Sequence, residues 1–371
     1  MSDSGSQPLL QPVRLGALEL PNRVLMAPMT RARATNPELV PTSLHATYYT
    51  QRAGAGLIVS EGTWVGPDAI GYIHVPGIWT DAQTAGWAGV TEAVHAAGGR
   101  IVSQIGHLGA LSHPDHLGGR LPVAPSVVNP HEMSFTPDGP KETVTPRALT
   151  GAGIAATLDE YRRAAENARR AGFDGLEIHA QGNHFIAQFL NPRLNRRTDA
   201  YGGSGENRAR LLLEIVETVT EVWGADRVGV KLSPYWRSGT AFTADEEVLG
   251  DYDQLLKRLG DYDLAYLHLV GPGPGPDAGG GSDDTAVAAF ERFRAHYRGA
   301  VVANLGFTRE SGNDLIARGL ADAVSFGAPY IANPDLVERF ARGLPLAEGE
   351  RDTYYSGGER GYVDYPAASR P

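Results

Sequence analysis

GLEIHAQGNHFIAQFLNPRLNRRTDAYGGSGENRARL, residues 175–211, reads as a strand, a functional loop and the start of a helix. The short apolar run GLEIH ends on His179. An amphipathic run follows, and the polar turn from Arg197 to Arg208 then opens a long helix. Strand, loop and helix in this order make one unit of a (β/α)8 barrel, where chemistry sits at the C-terminal ends of strands. A histidine at a strand end can equally be a packed structural one, and spacing alone does not separate the two readings.

Working outward, eight strand-like segments fall at 23–26, 57–60, 101–104, 175–179, 228–232, 265–270, 300–304 and 323–326. Helical periodicity falls near 43–53, 81–97, 158–171, 206–222, 244–258, 285–296, 309–318 and 334–342. Strands alternating with helices imply a parallel sheet, and eight repeats imply one closed barrel. No linker divides the chain, so residues 9–371 are expected to form one domain, with residues 1–8 disordered. Two stretches break the rhythm. Residues 105–156 are too long for a plain loop and are expected to form a hairpin or lid over the barrel mouth. The glycine-rich stretch 271–282 opens no helix in phosphate-binding register and reads as a rim loop.

The 371 residues are 42% hydrophobic, ample for one large core. A net charge of −10 with no basic cluster argues against nucleic acid and anionic membrane as partners. The absence of cysteine excludes disulfide and thiol chemistry. No apolar run approaches the roughly 20 residues of a membrane span. The start, MSDSGSQP, lacks the basic and apolar regions of a signal peptide, so a cytoplasmic protein, monomer or homodimer, is expected. His107, His113 and His116 lie near Asp115 at a spacing that suits no common zinc template, and no metal is expected.

The string QFL…NRRTDAYGGSGENRARL resembles the old yellow enzyme family of FMN-dependent ene-reductases. So do PNRVLMAPMTRAR, YYTQRAGAGLIVSEGT, TPRALT, DAVSFGAPYIANPDL and YYSGGERGYVDYP, which together run nearly the whole chain. The resemblance implies a TIM barrel, a flavin reduced by NAD(P)H and a small-molecule substrate. It implies that Pro28, Met29, Thr30, Gly62, Gln104 and Lys231 meet the flavin ring, and that Gly306, Phe307 and Gly327 meet its phosphate. A buried cation such as Lys231 would stabilise the negative charge of reduced flavin, although lysine lacks the planar fork of the family's usual arginine.

The chain departs from the family pattern at both ends of the site. Leu305 stands where the phosphate loop has glycine, and Ala328 where it has arginine. Losing one charge-assisted contact costs about 1.5–3 kcal/mol. FMN is thus held weakly, held differently or absent. At the substrate end His179 is the first carbonyl donor, but the second donor's position is Gly182 and the protonating tyrosine's position is His184. Asn183 fills a glycine position, where its tolerance of the left-handed region would preserve the backbone or its amide would point into the pocket as a substrate contact. Gly106 replaces a frequent tryptophan and would widen the pocket; Tyr72, Tyr354 and Tyr355 are candidate walls. With an ordinary pKa near 6.5, His184 would serve as acid or base in a proton-transfer pair with His179. Three functions fit. One is FMN-dependent reduction or isomerisation of a bulky conjugated carbonyl compound. Another is a flavin-independent isomerase, cyclase or lyase of specialised metabolism that uses the vacated cavity. The third is a non-catalytic small-molecule binder.

Overall fold

The computed structural model describes residues 7–272 and 283–368. Eight parallel strands close into a barrel: β1 (Val24–Met26), β2 (Leu57–Val59), β3 (Ile101–Gly106), β4 (Gly175–Ala180), β5 (Val228–Leu232), β6 (Tyr266–Val270), β7 (Val301–Asn304) and β8 (Ala323–Phe326). Each pairs with its sequence neighbour. β8 pairs with β1, Val324 opposite Val24, and β3 pairs with β4, Glu177 opposite Gln104, so the ring has no free edge. These strands agree with the expected segments to within two residues at either end.

The strands are buried on both faces, as a helix-wrapped parallel sheet requires. Inside the ring the side chains must fit one another. At Gly229 a Cβ would stand 2.4 Å from the Tyr266 ring, so the glycine on β5 makes room for the tyrosine on β6. A hairpin, Val13–Leu15 with Leu18–Leu20, closes the N-terminal end by packing Leu15, Leu18 and Leu20 against Leu25, Leu57 and Val102.

The helix after the long insertion begins earlier than its periodicity indicates, at Gly151 rather than near residue 158. The Thr150 side chain caps it by accepting the Gly153 N–H at 3.1 Å, and two glycines in the first turn hide the pattern. The expected 334–342 helix spans Leu336–Arg342, and a short helix that periodicity did not indicate, Ala328–Ala332, precedes it. Within 105–156 the chain forms an antiparallel hairpin, Met133–Thr136 with Gly139–Glu142. It also forms a short parallel pair, Val123–Ala124 with Arg147–Ala148. Of the expected disordered start, Pro8 opens a short 3-10 turn and residues 1–6 lie outside the described residues, as does the rim loop from residue 273 to 282. Among the described residues no helix is long and apolar enough to cross a membrane.

Three buried histidines tie stability to pH. Burial pushes His45 and His268 down to about 4 and His107 to about 3. The folded chain therefore keeps them neutral while the unfolded chain protonates them below about pH 6.5. Stability is full above that pH and is lost as pH falls toward 4, by at most about 1.4 kcal/mol per histidine per pH unit. Urea unfolding across pH 7.5 to 4.5 should show the midpoint dropping below pH 6.5; a flat midpoint would contradict this.

Candidate active site

A cavity of about 540 Å³ opens at the C-terminal end of the barrel. Its walls come from the segment after β1 (Pro28, Met29, Thr30), from Gly62 after β2, and from Gln104 and Gly106 on β3. His179 and His184 enter from β4 and its loop, and Tyr72, Tyr354 and Tyr355 from the rim. Arg31, Trp64, Phe135, Gln181 and Ile331 also line it, and sequence reasoning passed over them. Trp64 lies beside Gly106 in register, and a Cβ at Gly106 would stand 3.1 Å from the Cβ of His179, so the glycine leaves room for that histidine. Trp64 stacks on Tyr72 at 6.4 Å, and Tyr72 on Phe135 of the insertion hairpin at 5.9 Å. Three aromatic rings from separate segments thus form one apolar wall.

Arg31 and Arg33 strap the C-terminal segment onto the barrel. Arg31 donates to the Tyr354 carbonyl at 3.0 Å, the Tyr48 hydroxyl at 2.9 Å and the Gly361 carbonyl at 2.7 Å. Arg33 donates to carbonyls of Thr353, Tyr354, Ser356, Gly358 and Arg360. Both guanidinium groups are buried, and their bonds bring Tyr354 and Tyr355 to the rim. Each nitrogen of the Arg31 guanidinium thus makes one bond to the fold, three of its five N–H donors, while the residue lines the cavity.

Below the cavity the barrel interior is polar. Gln104 Nε2 donates to Glu177 at 2.7 Å, leaving its Oε1 near Gly62. Lys231 is opposite His179 in register and only 2% exposed. Among the described residues its ammonium has no hydrogen bond and no close ion pair. Burial pushes it down to about 8, with Glu177 opposing. An ammonium without a partner in a dry interior fits a ligand that brings negative charge.

The His179 and His184 rings lie 4.1 Å apart, edge to face. Burial pushes His184 down to about 3 and holds His179 well below the ordinary histidine range. Both are therefore neutral at pH 7, which differs from the expectation that His184 interconverts there; a dry wall disfavours the imidazolium. The Nδ1 of His184 is buried without a partner. Asn183 does not line the cavity, and the left-handed residue is Gly182, with φ +67°. The Gly182 N–H donates to Ser233 Oγ at 2.6 Å. The backbone turns at Gly182, so Asn183 is not called on for a left-handed conformation. His113 and Asp115 pair with each other, Asp115 also with Lys141, and His116 Nε2 meets the Phe135 carbonyl at 3.1 Å. These groups brace the insertion.

Residues 8–347 match the family described as NADH:flavin oxidoreductase / NADH oxidase. The chain belongs to that family. It is 39% identical to 12-oxophytodienoate reductase 1 of Oryza sativa subsp. japonica over 97% of this chain and 93% of the relative. A structure of morphinone reductase in complex with tetrahydroNAD superposes with TM-score 0.90 at 44% identity, covering 97% of this chain and 98% of that one. The old yellow enzyme homologue from Zymomonas mobilis gives TM-score 0.90 at 39% identity, covering 97% and 99%. The chain is an enzyme of the oxidoreductase kind.

In this family member the β7 loop takes an uncommon backbone. Leu305 has φ +90° and Gly306 φ +76°. A leucine in that region is strained by its Cβ, yet the side chain is 40% exposed and gains little packing in return. Gly327 sits beside Met29, where a Cβ would lie 3.6 Å from the sulfur, and Ala328 lines the main cavity. Phe307 faces a separate groove with Arg309, whose guanidinium is held by Glu310 and the Phe340 carbonyl. Leu305→Gly should therefore stabilise the fold by about 1 kcal/mol. Urea denaturation reads this directly, and a lowered midpoint would contradict the strain.

Proposed function

We propose that this enzyme binds FMN at the barrel mouth and reduces the carbon–carbon double bond of a bulky conjugated carbonyl compound, with NAD(P)H as reductant. The observation that carries the reading is the close pair of neutral imidazoles that shares one cavity with Thr30 and Gln104, with the buried Lys231 opposite His179 in register on β5. Pro28, Met29, Thr30, Gly62, Gln104 and Lys231 would hold the flavin ring. Backbone of Gly306, Phe307 and Gly327 would hold the phosphate without an arginine, since position 328 is alanine. When bound, FMN would carry an electron pair from NAD(P)H to the substrate double bond.

The chain's own residues do the rest. His179, a neutral donor on the cavity wall, hydrogen-bonds the carbonyl oxygen and stabilises negative charge as it develops there. His184 stands where the family's protonating tyrosine stands. It passes its ring N–H proton to the α-carbon and takes another from water at the open rim. In sum NAD(P)H and one proton are consumed, the double bond becomes single, and NAD(P)+ is released. Trp64, Tyr72 and Phe135 cover the apolar body of the substrate, and the insertion hairpin acts as its lid.

Leu305 and Ala328 favour a second reading, in which the cavity serves a redox-neutral proton transfer with no flavin. Purification decides between them: a yellow protein that oxidises NAD(P)H only when a conjugated enone is present supports reduction. A colourless protein that ignores added FMN supports the second reading. For the reductase, His179→Ala should lower kcat by about 10²–10³-fold and His184→Ala by at least about 10²-fold. Because burial keeps both imidazoles neutral, kcat/KM should show no histidine inflection from pH 5 to 8. A bell centred near 6.5, or full activity in His184→Ala, would contradict the assigned roles.

A further inference from the structure

Beneath the cavity a line of hydrogen bonds crosses the barrel and ends on a carboxylate that touches no ligand space. Glu177 is wholly buried on β4. It accepts from Gln104 Nε2 at 2.7 Å and pairs with His268 Nδ1 at 2.8 Å. His268 Nε2 meets Ser325 Oγ at 2.7 Å, and Ser325 Oγ meets Asn304 Nδ2 at 2.8 Å. A carboxylate only accepts, so every proton direction is forced. Nδ1 of the neutral His268 donates to Glu177, its Nε2 accepts from Ser325, and Ser325 accepts from Asn304. The same rule settles Gln104: its amide nitrogen must face Glu177, so its oxygen is the end left for the cavity.

Resting on the FMN reading above, the geometry points to Glu177 as a positioning residue for the flavin ring: it turns Gln104 acceptor-outward and keeps Lys231 charged. An outward acceptor suits a ligand edge that carries an N–H, and a charged ammonium beside it suits an adjacent anionic oxygen. The pyrimidine edge of a reduced flavin carries both. The groups facing Lys231 are Glu177 and His179 on β4 and His268 on β6. His179 and His268 are held neutral by burial, so Glu177 is the anion among them that opposes the loss of the lysine proton.

Midpoint potentials of the bound flavin, measured from pH 6 to 9, test this without reference to turnover. At pH 6, where Lys231 is protonated in both proteins, Glu177→Gln should lie at or above the wild type, because an anion has been removed near the flavin. By pH 8 its Lys231 has lost its proton, and reduced FMN should be held about tenfold more weakly relative to oxidised FMN. That is a fall of about 30 mV below the wild type. Adding Lys231→Arg to Glu177→Gln should abolish the fall, since a guanidinium keeps its charge at every pH tested. If Glu177→Gln does not fold, His268→Phe removes the donor that holds Glu177 ionised and should show the same pH-dependent fall. Parallel profiles for wild type and variant would overturn the inference while leaving the FMN reading intact. A wild type that binds no FMN would overturn both.

Discussion

Closing eight strands into a ring forces their inward side chains to share one dry interior, and here that interior carries Gln104, Glu177, Lys231 and His268. In such a space a charge survives only beside an opposite charge or a set of donors. Glu177 has its donors in Gln104 and His268. Lys231 has no such set among the described residues, and burial pushes it down to about 8. The same dryness holds His179 and His184 neutral at the cavity wall, which makes them hydrogen-bond donors rather than buffers. Burial therefore sets the electrostatic character of the site more than the identity of any single residue does.

The apolar side of the site depends on long-range assembly. Phe135 reaches the cavity because the insertion hairpin lays a bridge against Tyr72. Tyr354 and Tyr355 reach it because two buried arginines gather the carbonyls of the C-terminal segment. An arginine used this way contributes shape rather than charge to the ligand.

Much of this was legible in the chain. Strand periodicity located all eight barrel strands, because a strand buried on both faces is a short apolar run between turn signals. Gln104, His179 and His184 could be named because the flanking motifs set their register. Trp64, Phe135 and Gln181 could not: nothing local distinguishes a tryptophan or phenylalanine facing a cavity from one facing the core. The left-handed turn was assigned to Asn183, yet Gly182 carries it, since glycine adopts that conformation without cost and spares its neighbour. The neutrality of His184 was also out of reach, because a pKa follows burial and burial follows from the closed fold. Even Leu305 was only half readable. The residue was visible, but that the loop keeps a glycine-like backbone around a leucine is a property of the folded loop.

In the proposed FMN reading the ring would be held by Thr30, Gln104 and Lys231, and the phosphate would be held without an arginine at position 328. The most direct measurement is titration of the flavin-free protein with FMN and with riboflavin, which lacks the phosphate. That reading predicts that both bind and that their affinities agree to within about tenfold, because the phosphate would meet backbone amides without a charged side chain. Riboflavin binding more than about a thousandfold weaker than FMN would contradict it, since a gap of about 4 kcal/mol would require a phosphate site as strong as one built on arginine.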